Sequence, residues 1–210
     1  GRETMECIAF PIAVSVYLVI ALVLPTIRVW RNHGVCPLVI HRESGVVART
    51  IGVLFGLLLL GLFFWSILYW RIDPQTLGVL STPRWVSAVG WMLLVLGTAI
   101  TLLAQRHMGE AWRVGVDDRP TALVQRGLFS LSRNPIFAGM IVTLCGMAAI
   151  TPSAWTIAVM VLVFALISVQ VRIEERHLVA LHGEAYLRYA GRVGRFMPGL
   201  GLLRSSPFIQ

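Results

Sequence analysis

The sequence predicts an all-α, polytopic membrane protein with about five transmembrane helices, the last two forming a helical hairpin that runs on into a C-terminal aqueous helix. Three observations carry this. Of the 210 residues, 57% are hydrophobic and 13% charged, whereas soluble domains average about a quarter charged. Mean hydropathy is +0.77. The apolar residues also fall into blocks of roughly the 20 helical residues needed to cross about 30 Å of hydrocarbon, with arginines gathered between them.

Taken in order, Ile8–Val29, Ile51–Trp70 and Trp85–Leu103 read as three separate spans. The first lacks a strongly basic start and a small-residue cleavage site and is followed by a basic cluster, so it reads as a span and not as a cleaved leader. In the second, Gly52, Gly56 and Gly61 are spaced to let another helix approach closely. Residues 1–103 thus form a scaffold with few ionisable groups, and residues 104–210 hold the chemistry. Residues 104–135 are too polar to cross and too apolar to be a free linker, which predicts a re-entrant segment at the interface. Ile136–Ile150 and Ala154–Val171 then pair through Thr151-Pro152-Ser153, with Thr151 as cap and Pro152 at the first helical position. From Arg172 the helical pattern continues, with Leu178, Leu181, Ala185 and Tyr189 on one face. Gly191 and Gly194 close it, ahead of Arg195-Phe196-Met197-Pro198-Gly199.

The net charge is +8, and all 18 basic residues are arginine. Such a charge on a soluble chain points to nucleic acid, but here its placement decides. Arg28, Arg31, Arg42 and Arg49 crowd the first loop, and arginines return in residues 106–133 and in the tail. An odd number of spans puts the first loop, third loop and C-terminus on one side. The positive-inside rule makes that side cytoplasmic and the N-terminus external, in a bacterial inner membrane. Cys7, Cys36 and Cys145 are odd in number without CxxC spacing, so neither a disulfide framework nor a zinc site is predicted. Strands alternating with helices and a Gly-rich first loop are missing from the pattern, which excludes a soluble, doubly wound α/β enzyme domain.

A tight hairpin returns Arg133, at the start of its first helix, to the same membrane face as Glu174 and Glu175, at the end of its second. The bland reading is an ion pair that pins the hairpin. Adjacent glutamates point about 100° apart on a helix, so one carboxylate can face inward toward a cationic ligand. Asn134 is a favoured cap and Pro135 a favoured first residue, and the helix they open offers N–H groups and partial positive charge to an anion. A carboxylate facing a helix N-terminus suits a zwitterionic amino-acid head group, which S-adenosylmethionine carries. Glu175 is the nearby candidate for a general base. His107, His177 and His182 have no metal-ligand spacing.

The run Thr121-Ala122-Leu123-Val124, Gly127-Leu128-Phe129, Arg133-Asn134-Pro135-Ile136-Phe137-Ala138-Gly139, Glu174-Glu175, Gly183-Glu184-Ala185-Tyr186 and Arg195-Phe196-Met197-Pro198 resembles the isoprenylcysteine carboxyl methyltransferase and phospholipid methyltransferase superfamily from Gln105 onward. The resemblance implies an integral membrane, S-adenosylmethionine-dependent methyltransferase acting on a lipophilic or small carboxylate, thiol or amine. It places cofactor contacts at Thr121, Ala122, Leu123, Val124, Phe129, Asn134, Pro135, Ile136, Phe137 and Glu174, and Arg133 keeps the family's pattern; Arg133, Arg172 and Glu175 are the candidates for reaction roles. Phe129 and Phe137 stand where the family often has tyrosine, and Asn134 where it has the histidine of Arg-His-Pro. Gln170 occupies the position of a substrate-orienting arginine, the nearest arginine being Arg172, which argues against a prenylcysteine carboxylate. Two rival readings are a membrane NADPH-dependent sterol-type reductase and a non-catalytic adaptor that keeps the fold. Cofactor binding separates the three.

Overall fold

The computed structural model describes residues 2–33, 46–108 and 123–203. Among these the regular structure is helical: α1 (Arg2–Leu18), a widened π-helical stretch (Val19–Val23), α2 (Leu24–His33), α3 (Val46–Arg71), α4 (Arg84–Met108), a 3-10 turn (Gly127–Ser130), α5 (Pro135–Ile150), α6 (Ala154–His182) and α7 (Glu184–Ala190). Among the described residues one isolated parallel bridge pairs Ser132 with Gly194. Four helical stretches among the described residues are long and apolar enough to cross a membrane: Met5–Ile27, Arg49–Arg71, Arg84–Met108 and Ala154–His182. The 16 residues of α5 reach about 24 Å at 1.5 Å per residue, short of the roughly 30 Å of hydrocarbon. At 29 residues α6 is roughly 43 Å long by the same rise, so its last turns stand clear of the hydrocarbon.

Close packing of α4 on α5 is the tightest seam. Gly90 lies against the Gly146 carbonyl and Ile150, Gly97 against Thr143, and Gly139 against Thr101. A Cβ added at Gly139 would stand 2.5 Å from Thr101 Oγ1, and one at Gly146 2.6 Å from the Gly90 carbonyl oxygen. Small residues let two backbones come together where lipid supplies no hydrophobic drive between helices. The glycines predicted to do this lie elsewhere: an added Cβ at Gly56 or Gly61 of α3 meets nothing within 4 Å. Their spacing in the sequence matches a packing motif, but the partner that would use it is not beside them.

Against this seam α1 runs parallel to α4. Ser87 Oγ donates to Glu6 Oε2 at 3.4 Å at one end, the Tyr17 hydroxyl lies beside Thr101 and Thr143 in the middle, and Gln105 Nε2 donates to the Ala21 carbonyl at 2.7 Å at the other. Phe10, Val14, Tyr17, Leu62, Trp65, Leu94 and Met147 fill the core between α1, α3, α4 and α5. A second cluster, Val159, Val163, Ile167 and Val171, faces α3 and α5 from α6.

The hairpin turn differs from expectation by two residues. Ser153, not Thr151, caps α6: its hydroxyl accepts from Thr156 N at 3.2 Å while its own N–H donates to Thr156 Oγ1 at 3.0 Å, a reciprocal box. Thr151 instead ends α5 and accepts from Trp65 Nε1 at 3.4 Å. The aqueous helix is also interrupted. Gly183, at φ 52°, takes a conformation costly for side-chain-bearing residues and turns the chain from α6 into α7. Replacing Gly97 by Ala drives a methyl into Thr143 and should cost about 1–3 kcal/mol, read as a lower midpoint of thermal unfolding in detergent. Gly56→Ala should stay within about 0.5 kcal/mol of wild type.

Candidate functional site

Arg133 sits between the 3-10 turn and α5 and is 6% exposed. A guanidinium has five N–H donors, and each is taken. Nε and Nη2 reach Glu175 Oε1 at 3.1 and 2.7 Å, Nη1 reaches the Ala190 carbonyl at 2.9 Å and the Val193 carbonyl, and Nη2 also reaches the Gly201 carbonyl at 2.9 Å. The cation thereby sits at the C-terminal end of α7, where helix carbonyls favour positive charge. It gathers three separate stretches of tail around one point.

Glu175, 5% exposed, is held from its other side by Arg195, whose Nη2 meets Oε2 at 2.7 Å and whose Nε meets Oε1 at 3.2 Å. The Arg195 side chain is 28% exposed. Sequence reasoning did not single out Arg195 for this role, since its partner lies 20 residues away beyond the break at Gly183. Its backbone is equally engaged. The Arg195 carbonyl accepts from Asn134 N at 3.1 Å, Asn134 Nδ2 at 3.2 Å and Ser132 Oγ at 3.2 Å, while Arg133 N donates to the Gly194 carbonyl at 2.9 Å.

These bonds fix where α5 begins. Asn134 occupies the N-cap position, yet its side chain makes no capping bond and turns to the Arg195 carbonyl. Pro135 takes the first turn as expected. The first-turn N–H groups of α5, free of intrahelical partners by geometry, therefore remain available as donors. Phe137, on the same turn, packs partly on the Val159–Val171 cluster. Ile136 is half-buried.

Glu174 is half-buried, about 100° around α6 from Glu175, and accepts from Gln170 Nε2 at 3.0 Å. Arg172 is exposed and does not join the Arg133–Glu175–Arg195 cluster. Phe129 is buried at 8%, and its carbonyl accepts from the Tyr189 hydroxyl at 2.6 Å. Leu123 packs on Tyr186, Tyr189 and Ala190, and Val124 beside it is half-buried. Thr121 and Ala122 lie outside the described residues. Leu123, Phe129, Arg133, Asn134 and Glu175 are thus tied into one connected assembly. His107 joins it by accepting from Leu128 N at 3.2 Å through Nδ1.

Burial pushes the Tyr189 hydroxyl up to about 12, against a smaller downward pull from Arg133. Tyr186 is raised as well, by burial first and by the Glu175 carboxylate second. Both stay protonated and neutral beside the ion cluster at ordinary pH.

Residues 85–185 match the family model for phospholipid methyltransferase. Among curated proteins the chain is 29% identical to methanethiol S-methyltransferase 1 of Bradyrhizobium diazoefficiens, over 74% of this chain and 56% of that protein. It is 32% identical to the nickel-cobalt-cadmium resistance protein NccN of Alcaligenes xylosoxydans xylosoxydans, over 58% of this chain and 55% of that one. The chain spans a little over half the length of these relatives. In three dimensions it is similar to the eukaryotic intramembrane Ras methyltransferase ICMT, with a TM-score of 0.53 at 19% identity, covering 77% of this chain and 56% of that one.

Removing one partner of a buried charge pair leaves the other charge uncompensated, at a cost of about 3–5 kcal/mol. Glu175→Ala should therefore lower the thermal midpoint steeply, because Arg133 loses its counterion. A second expectation follows from Tyr189. A folded hydroxyl that keeps its proton to higher pH than an unfolded one contributes stability that is complete below the unfolded value of about 10. That contribution disappears as pH rises through about 12. Stability measured across this window should fall with pH, and Tyr189→Phe should make the slope shallower.

Proposed function

We propose that this chain is an integral membrane methyltransferase of the isoprenylcysteine carboxyl methyltransferase and phospholipid methyltransferase superfamily, a reading supported by the match of residues 85–185 to the phospholipid methyltransferase model and by the likeness to methanethiol S-methyltransferase 1, and that it uses S-adenosylmethionine to methylate a lipophilic or small acceptor at the cytoplasmic face of the inner membrane. One observation supports this most: the Arg133–Glu175–Arg195 cluster sets the start of α5 beside the turn of α6 that carries Glu174. A helix N-terminus with unused N–H groups suits a carboxylate, and Glu174 suits an ammonium or sulfonium. Phe129 and Phe137 offer flat apolar surfaces for an adenosine. Thr121, Ala122, Leu123, Val124, Asn134, Pro135 and Ile136 complete the cofactor contacts in this reading.

Bound there, S-adenosylmethionine supplies a methyl group activated on a sulfonium. The residues of this chain hold and orient the reactants and keep water away, which together are worth large rate factors. Arg133 and Glu175 act here through what they position. The donors of one and both oxygens of the other are occupied, so neither is assigned a proton-transfer step. Arg172, exposed on α6, is assigned to the acceptor side. Of the acceptor classes open to this family, a small thiol fits best with a site lacking a spare base, and the likeness to a protein named for methanethiol S-methylation supports it.

Calorimetric titration of the detergent-purified chain with S-adenosylhomocysteine tests the cofactor assignment. Micromolar binding is expected from wild type and should be lost in Glu174→Ala, with folding retained. Wild-type protein that is folded yet binds nothing would overturn the assignment and make NADPH the next ligand to titrate.

A further inference from the structure

Pro25 sets in train an unusual arrangement at the inner end of α4. Lacking an N–H, it cannot donate to the carbonyl four residues back, that of Ala21, and its ring crowds that oxygen. The helix widens over Val19–Val23, where Leu24 N reaches Val19 O, and the Ala21 carbonyl accepts instead from Gln105 Nε2 at 2.7 Å. This bond fixes the orientation of the amide, since the reverse orientation would set two carbonyl oxygens face to face. Gln105 is 6% exposed, and its Oε1 is buried without a hydrogen-bond partner among the described residues. Native proteins pair nearly all such atoms, so this one calls for a bound donor.

Its position says which donor. The α4–α5 seam pairs Gly97 with Thr143 and Thr101 with Gly139, and one further turn of these antiparallel helices brings Gln105 level with Pro135. Two residues on, His107 holds the segment that carries Phe129. Gln105 therefore stands at the level of the first turn of α5, on the side that faces the Val19–Val23 stretch. Glu174 and the helix N-terminus already account for the charged groups of the cofactor. A neutral amide oxygen at bilayer depth suits a neutral donor arriving from the membrane.

We propose that Gln105 binds the methyl acceptor through Oε1, and that the acceptor is a neutral protic nucleophile, a thiol or hydroxyl, in preference to a carboxylate. The proposal rests on the methyltransferase reading above. A carboxylate would set an anionic acceptor oxygen against Oε1, whereas S–H or O–H donates to it and turns a lone pair toward the cofactor. In the transfer, that lone pair forms the bond to the methyl carbon as the carbon–sulfonium bond breaks. The acceptor proton then departs to water at the aqueous face, the amide taking none.

The test is thermal unfolding of the full chain in detergent, saturated with S-adenosylhomocysteine and titrated with hexanethiol, hexanol or hexanoate. At least one protic probe should raise the midpoint and hexanoate should not. Gln105→Leu should weaken the protic probe at least tenfold while keeping the shift given by S-adenosylhomocysteine. Gln105→Glu, whose protonated side chain can donate to the Ala21 carbonyl and still accept, should keep the response to both. The proposal is overturned if Gln105→Leu responds as wild type does, if hexanoate is the preferred probe, or if no protic probe shifts the midpoint. Absence of any wild-type shift with S-adenosylhomocysteine alone overturns the methyltransferase reading, and this proposal with it, on a different ligand.

Discussion

The structure depends on one carboxylate held between two guanidinium groups. Glu175 meets Arg133 and Arg195 at 2.7 Å on either side, in a place from which water is largely excluded. Burying charge is costly even when it is paired. The cost is tolerable because all the donors of Arg133 are matched, two by Glu175 and three by carbonyls of the tail. A cluster so fully satisfied has one geometry. It thereby fixes the relative positions of α5, α6, α7 and the segment that follows, which hydrophobic packing in lipid would leave free to slide.

Two constraints of the bilayer explain the rest of the architecture. Helices in lipid gain little from burying apolar surface against one another, so the α4–α5 seam relies on glycines and on Thr101 and Thr143, whose hydroxyls bond back within their own helices at 2.9 and 3.0 Å. Backbone polar groups must also be satisfied inside the protein. Pro25 breaks that rule locally at the Ala21 carbonyl, and Gln105, 84 residues after Ala21, restores it from another helix. The length of α6 links the two environments, since its apolar part packs on α3 and α5 while its end presents Glu174 and Glu175.

Much of this was legible in the sequence. Block lengths and the Thr151-Pro152-Ser153 break show the helices and the hairpin, and Arg133 and Glu175 meet because a short turn leaves little choice. What escaped depends on which partner a residue finds. Gly56 and Gly61 carry the same small-residue signal as Gly97 and Gly139, and only the neighbour beside each tells them apart. Ser153 and Thr151 are both capable caps. The Thr156 hydroxyl decides between them by completing the box. Arg195 appears in the sequence as one more basic residue near a helix end. Its significance arises from the turn at Gly183, which folds α7 back so that residue 195 returns to the helix it left.

The tail wrapped around Arg133 also gives the protein an order of completion. The carbonyls that receive this side chain belong to residues 57, 60 and 68 positions later, so α5 enters the membrane while its leading arginine still lacks them. At ribosomal speeds of about 5–20 residues per second, the wait lasts several seconds. Throughout it, the charge must stay at the aqueous edge of the bilayer. Synthesis of the last described segment then closes the cluster, so a chain truncated before Gly201 lacks one of the carbonyls that receive Arg133.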